Sequence, residues 1–184
     1  MRQLMMRYEG GALPVSENKG YAVRNYEAAD HDGMLQALVP LTLKLYSDDE
    51  LCSVIIRHSG VRPESVFVAV EDGRVIGTAT GYTHESDGTR PADDGGTLHM
   101  VSALPEASGR GVGRAVCTAV VNYLLSLGCK YIDLTTDDFR KSAIVTYTRL
   151  GFRPFIDDGD MQERWAKLAA ELALPELIKE AYRI

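Results

Sequence analysis

Ser108-Gly109-Arg110-Gly111-Val112-Gly113-Arg114 joins an apolar run ending near Ala103 to a helix-period run ending near Leu127. Three glycines in five residues let backbone N–H groups approach a ligand with no Cβ in the way. The N–H groups that open the following helix point into the same space. Those donors and the helix dipole make an anion site. Arg110 and Arg114 add positive charge there, in a chain whose net charge is −6, so the local sign opposes the global one and favours a specific anion. The spacing is neither G-x-G-x-x-G nor G-x-x-x-x-G-K-[ST], which sets aside dinucleotide and nucleoside-triphosphate loops. An ordinary Gly-rich strand-to-helix turn is the competing reading.

Outward from the loop, Val112, Val116, Ala119, Val120, Tyr123 and Leu127 recur at helical spacing and Gly128 stops the helix. Tyr131–Thr135 reads as a strand, Arg140–Leu150 as a helix closed by Gly151, and Phe152–Ile156 as a last strand. On the other side Thr97–Ala103 is a strand, and Val66–Val70 with Val75–Tyr82 form a hairpin about Asp72-Gly73. Tyr21–Tyr26 alternates as a half-buried strand does. Asp30 is then the expected N-cap of a helix carrying Met34, Leu35, Leu38, Leu41 and Leu45, broken or kinked by Pro40. Ser47-Asp48-Asp49-Glu50 repeats the start signal for a short helical face through Leu51, Val54 and Ile55. His84–Gly96 reads as an acidic surface loop, either simply solvated or a lip that attracts an amine.

The expected organisation is an N-terminal arm (1–20) with one edge strand at Leu4–Tyr8, a domain (21–160), and a helical tail (161–184) that packs on the body or on a second copy, so a homodimer stays open. The late strand–helix alternation predicts helices on a mixed sheet, an α/β fold. A length of 184 residues fits one such domain. No apolar run approaches the ~18 residues of a membrane span, and residues 1–7 have no signal-peptide core. A soluble protein without membrane partners is expected. Cys52, Cys117 and Cys129 are odd in number and lack C-x-x-C spacing, so neither a disulfide framework nor a zinc or other metal site is implied, and a reducing cytoplasm fits. A pI near 5.2 argues against nucleic-acid binding and is compatible with a cationic amine substrate.

Ala103-Leu104-Pro105 followed by Ser108-x-x-Gly111-x-Gly113 resembles the pyrophosphate loop of the GNAT superfamily of acetyl-CoA-dependent N-acyltransferases, [QR]-x-x-G-x-[GA] after a V-x-P-like turn. Ala143-Ile144-Val145-Thr146-Tyr147-Thr148-Arg149-Leu150-Gly151-Phe152 resembles the superfamily's A-I-x-x-Y-x-x-x-G-F segment, about 30 residues further on. The likeness covers roughly 21–156, strongest from Leu98. It departs at Ser108, where the family prefers Gln or Arg, and at Arg140, where members carry Asn, so no side-chain contact is carried over at either position. The resemblance implies a mixed, mostly antiparallel central sheet with helices on both faces. It also implies an acetyl-CoA site in which the backbone of Val101, Ser102 and Ala103 bonds the pantetheine. Gly109, Arg110, Gly111, Val112, Gly113 and Arg114 would hold the pyrophosphate.

An amine that attacks a thioester must be neutral, yet an alkyl amine with pKa ~10.4 is almost wholly protonated at pH 7, so a base or water chain must take a proton. The leaving thiolate needs a proton donor, and a phenol is one. Tyr147 is the matching family position; alone, it reads as a core tyrosine on an amphipathic helix. For the base, His99 matches a histidine in some arylalkylamine-acetylating members, and a histidine bonded inside a sheet is the equal alternative. His84, Glu85 and Asp133 are second choices. Alternation would place His99, Val101 and Ala103 on one face, with a backbone N–H near Val101 as oxyanion donor. The expected function is N-acetyl transfer to a primary amine, on a small molecule or a protein. A catalytically silent acyl-CoA sensor and a structural module built on the tail are the alternatives.

Overall fold

The computed structural model describes residues 2–15, 17, 20–42, 46–51, 53, 55, 60–84, 93–157 and 159–183. One eight-stranded sheet organises them. Its strands are β1 (Leu4–Tyr8), β2 (Ala22–Asn25), β3 (Val61–Glu71), β4 (Arg74–Thr83), β5 (Gly95–Ala103), β6 (Tyr131–Thr136), β7 (Arg153–Ile156) and β8 (Tyr182–Arg183). Across the sheet they lie in the order β2-β3-β4-β5-β6-β1-β7-β8. Every neighbouring pair is antiparallel except β5/β6 and β7/β8. The helices are α1 (His31–Thr42), α2 (Asp48–Leu51), α3 (Val112–Ser126), α4 (Lys141–Leu150), α5 (Gly159–Leu172) and α6 (Glu176–Lys179).

Strand alternation divides the core between the two faces of the sheet. Val66 on one face of β3 packs with Met34, Leu35 and Leu38 of α1 and Leu51 of α2, and Val68 packs with Ala37. Ala69 on the other face joins the cluster that contains Val116, Val120 and Leu124 of α3. Helices therefore cover both faces, and the sheet is mixed and mostly antiparallel, as expected. α3 lies close on β4 because Gly77 and Gly81 have no side chain: an added Cβ would stand 2.5 Å from Val112 Cγ1 and 2.8 Å from Val120 Cγ1. The β3–β4 hairpin turns on Asp72 (φ 48°) and Gly73 (φ 77°), both left-handed, as a two-residue turn of this kind requires.

Several local expectations change. Leu4–Tyr8 is no edge strand. It sits between β6 and β7, pairs antiparallel with both, and buries Leu4, Met6 and Tyr8 on one face. Arg7, on the other face, lies bidentate on Asp133 (2.7 and 3.0 Å) and over the rings of Tyr131 (3.9 Å) and Phe155 (4.9 Å). These partners let an interior strand carry a cation. The 161–184 tail is helical only in part, since Tyr182–Arg183 adds a strand beside β7. Its apolar side, Trp165, Leu168 and Leu177, is buried in the main cluster. Asp30 does not cap α1 directly. It closes the preceding turn by accepting the Glu27 N–H (2.8 Å) and the Arg24 guanidinium (2.6 and 2.8 Å). α1 runs two residues past Pro40 to Thr42; Leu45 and Val54 lie outside the described residues.

Candidate functional site

β5 and β6 pair only at Gly95↔Tyr131, Gly96↔Ile132 and Thr97↔Asp133. Beyond Thr97, β5 continues to Ala103 along β4, and β6 continues to Thr136 along β1. The two parallel strands thus part in mid-sheet and leave a wedge open toward their C-terminal ends, the side on which open α/β sheets hold ligands.

On the β5 side of the wedge the backbone is bulged. His99 stands opposite Thr80 and Ser102 opposite Thr78, so Met100 and Val101 share the place opposite Ala79, and Met100 has φ 49°. The bulge re-aims backbone amides out of the ladder. It also corrects the expected alternation. His99 and Ser102 fall on the face of Thr78 and Thr80, whereas Ala103 pairs with Gly77 and Leu98 with Gly81. A period-2 reading cannot show this, because one extra residue inverts every later side chain.

The glycine loop follows at the end of β5. A single turn, Pro105–Ala107, leads through Gly109 (φ 77°) to Gly111 (φ 82°), which caps α3 in the left-handed conformation. Ser108 and Arg110 give their N–H groups to Pro105 and Ala107, and Ala115 bonds back to Gly111. Among the described residues, the N–H groups of Gly109, Gly111, Val112, Gly113 and Arg114 have no acceptor. A Cβ at Gly109 or Gly113 would meet nothing within 4 Å. Open space in front of unspent donors at a helix start fits a diphosphate. Arg110 is less available than expected. Its guanidinium holds the Glu71 carboxylate (Nη1 to Oε2, 2.9 Å) and lies 6.0 Å from the Tyr21 ring. Arg114 makes no ion pair or hydrogen bond among the described residues, so the loop's uncompensated cation is Arg114.

Tyr147 is buried on α4, its ring tilted on Phe152 at 6.0 Å, and its hydroxyl makes no hydrogen bond among the described residues. Burial pushes its phenol well up, the neighbouring Cys117 of α3 adds to this, and Arg140 works against it. Arg140 caps the start of α4, bonds the Asp137 carboxylate (2.9 Å) and reaches the Leu41 carbonyl (2.8 Å), tying the end of α1 to the start of α4. The sequence alone gave no sign of that tie or of Cys117 beside the phenol.

Of the other candidates, His99 is half-buried, edge-on to Tyr82 at 5.8 Å. His84 is almost fully buried in what was read as a surface loop. Its Nδ1 faces Asp93 (2.9 Å) and its Nε2 faces Thr97 Oγ1 (2.8 Å). A carboxylate only accepts, so Nδ1 carries the proton and both ring nitrogens are engaged. Desolvation works to raise Asp93, but hydrogen bonds from Tyr131, the Gly95 amide and His84 outweigh it and hold the carboxyl at about 2. Desolvation and the bond to Asp93 push Tyr131 up to about 12. Asp133 is spent on Arg7, and Glu85 lies outside the described residues.

Residues 31–152 match the acetyltransferase (GNAT) family, a span that includes α1, the wedge, the glycine loop and Tyr147. The chain belongs to this family. Among curated proteins it is 36% identical over 92 residues to a mycothiol acetyltransferase of Rhodococcus jostii, covering 50% of this chain and 30% of that one. It is 32% identical over 114 residues to a mycothiol acetyltransferase of Frankia alni, 59% of this chain and 33% of that one. The chain thus spans about a third of the length of these relatives. Among solved structures, a GCN5-related N-acetyltransferase from Sphaerobacter thermophilus superposes with a TM-score of 0.66 at 21% identity, over 83% of this chain and 49% of that one. The ribosomal-protein-S18-alanine N-acetyltransferase of Escherichia coli superposes at 0.56 and 18% identity, over 71% and 76%. At these identities the superpositions speak for the fold. No described helix of this GNAT domain is long and apolar enough to cross a membrane.

Proposed function

We propose that the protein transfers an acetyl group from acetyl-CoA to a primary amine. The observation that carries this reading is the wedge between β5 and β6, with a bulged backbone on one wall and unspent donors at its mouth. In this reading the loop amides from Gly109 to Arg114 hold the diphosphate, and the backbone of Val101–Ala103 bonds the pantetheine. Acetyl-CoA supplies the activated acyl group. A backbone N–H freed by the bulge near Val101 faces the charge that develops on the acyl oxygen, where preorganised donors are worth most. His99 takes the amine proton, and Tyr147 hydrogen-bonds the departing sulfur. Relatives named for mycothiol support a small-molecule amine over a protein amine. The two described cysteines, Cys117 and Cys129, are free, and a cytoplasmic setting suits them.

The test has two parts. Acetyl-CoA should raise the melting temperature, and an amine panel should release CoA thiol, with products identified by mass. Stabilisation without thiol release for any amine would favour an acyl-CoA sensor, the reading kept open by Ser108 and Arg140. No stabilisation at millimolar CoA would remove the cofactor.

A further inference from the structure

A cavity of about 610 Å³ lies on the far flank of α3 from Tyr147. Ala115, Thr118 and Ala119 of α3 form one wall, and Tyr21, Val23 and Phe67 from the β2–β3 edge form another. Two residues turn a helix by about 200°, so Ala115 faces away from Cys117, which meets Tyr147 on the α4 side. The outer rim comes from the segment that links β1 to β2. This segment is clamped to α3 where Asn122 accepts the Leu13 N–H (2.7 Å) and donates to the Leu13 carbonyl (2.9 Å). Val15 and Glu17 then line the cavity. The space is therefore built by three separated parts of the chain, and its size is that of a small-molecule pocket.

Its charges are unequal. Arg110 is answered by Glu71, whereas Arg114 lines the same space with no partner among the described residues. We propose that this cavity is a second binding site, distinct from the wedge, for a small amphipathic monocarboxylate with an aromatic or branched aliphatic body. The planar guanidinium of Arg114 suits a carboxylate bidentately, and Tyr21, Val23 and Phe67 offer apolar surface to the body. Among the described residues that line the cavity the free cation is Arg114 alone, which with Glu17 on the rim favours a single negative charge and disfavours a phosphate dianion or the phosphorylated end of a nucleotide. The inference goes beyond acetyl transfer and does not rest on it. Since Arg114 stands at both the cavity and the glycine loop, the occupant is placed to influence what the loop holds.

The probes are 3-phenylpropionate and 4-methylpentanoate, each paired with its uncharged carboxamide, titrated into the full chain by calorimetry and by methyl NMR. Both acids should bind, and each amide should bind about tenfold more weakly for want of the charged hydrogen bonds. Methyl shifts should concentrate at Val23, Ala115 and Ala119 in the unaltered protein. Ala119→Phe, which fills the cavity, should weaken the acids at least about tenfold while leaving CoA affinity within about twofold. Failure of both acids to saturate at about 10 mM, shifts centred elsewhere, or undiminished binding to Ala119→Phe would each overturn the proposal. CoA affinity, measured in parallel, keeps a failure of this site separate from a failure of the acetyltransferase reading.

Discussion

Tyr147→Phe removes one oxygen and keeps the ring against Phe152. The deleted hydroxyl has no hydrogen-bond partner among the described residues, so no protein group is left unsatisfied, and stability should change by less than about 1 kcal/mol. Catalysis should change more. Full proton transfer from a phenol with pKa ~10 to an alkyl thiolate with pKa ~8.5 is uphill by about 2 kcal/mol, and the burial of Tyr147 raises that further. The phenol's effective contribution is then a hydrogen bond to the charged sulfur, worth about 1.5–3 kcal/mol, or about 10- to 150-fold in rate. Because burial raises the phenol's pKa, it stays protonated through neutral pH and gives no alkaline limb of its own below about pH 10. The assay is thiol release at saturating acetyl-CoA and amine, with CoA affinity from calorimetry and a pre-steady-state run to establish that chemistry limits the rate. A kcat within threefold of the parent value, with chemistry limiting, would refute the role of Tyr147. An equal loss in CoA affinity would recast it as a packing residue.

Gly113→Leu should fold, since nothing lies within 4 Å of the added Cβ, and should lose the stabilisation by CoA, which is about 2.7 kcal/mol at a hundredfold excess over Kd. Retained stabilisation in a thermal melt would remove the loop from the site. His99→Ala should lower turnover and delete a limb near neutral pH from the kcat/KM profile. A profile of unchanged shape with lowered stability would return His99 to the sheet. Arg24→Met leaves Asp30, which is 5% exposed, with only the Glu27 amide, and should cost about 1–3 kcal/mol in urea melts at pH 7 after allowance for the partly exposed guanidinium. The hydrogen bond from Arg24 holds the Asp30 carboxyl below its usual range despite desolvation. This stabilisation is present in full above the unfolded value of ~3.9 and is lost as pH falls through the lower folded value, so the gap between variant and parent should narrow below about pH 4. A gap that widened in acid would reverse the assignment.

Where local chemistry decides structure, the sequence was readable. Asp72-Gly73 announced its hairpin, Gly128 and Gly151 ended their helices at φ 93° and 101°, and the Ala143–Phe152 block formed α4 and the turn after it. What it hid are properties of assembly. The short apolar piece Leu4–Tyr8 marks a strand but cannot say that two partners flank it, and the residues that surround Arg7, namely Asp133, Tyr131 and Phe155, are all distant from it in sequence. The bulge at Met100 left no mark either, because Met is an unusual residue for a positive φ and only the register with Thr78 and Thr80 reveals it. Arg110 looked like a phosphate ligand because its partner, Glu71, is distant in sequence. His84 looked solvated because the loop around it is polar, yet Asp93 and Thr97 draw it inside.

The strand that supports β6 along the wedge is synthesised well before it, with everything from β2 to α3 in between. Leu4 pairs with Thr136 and Met5 with Phe155, so β1 has no partner until β6 and then β7 have been made. At ordinary synthesis rates that wait is on the order of ten seconds. During it, a five-residue segment with Leu4, Met6 and Tyr8 on one side must stay soluble and unpaired, while the β3–β4 hairpin and the α1 layer can already form. Closure of the sheet is therefore a late, long-range event that joins β1 to strands made after α3. A chaperone that shields the unpaired β1 would act on this step, and the wedge acquires its second wall only when the step is complete.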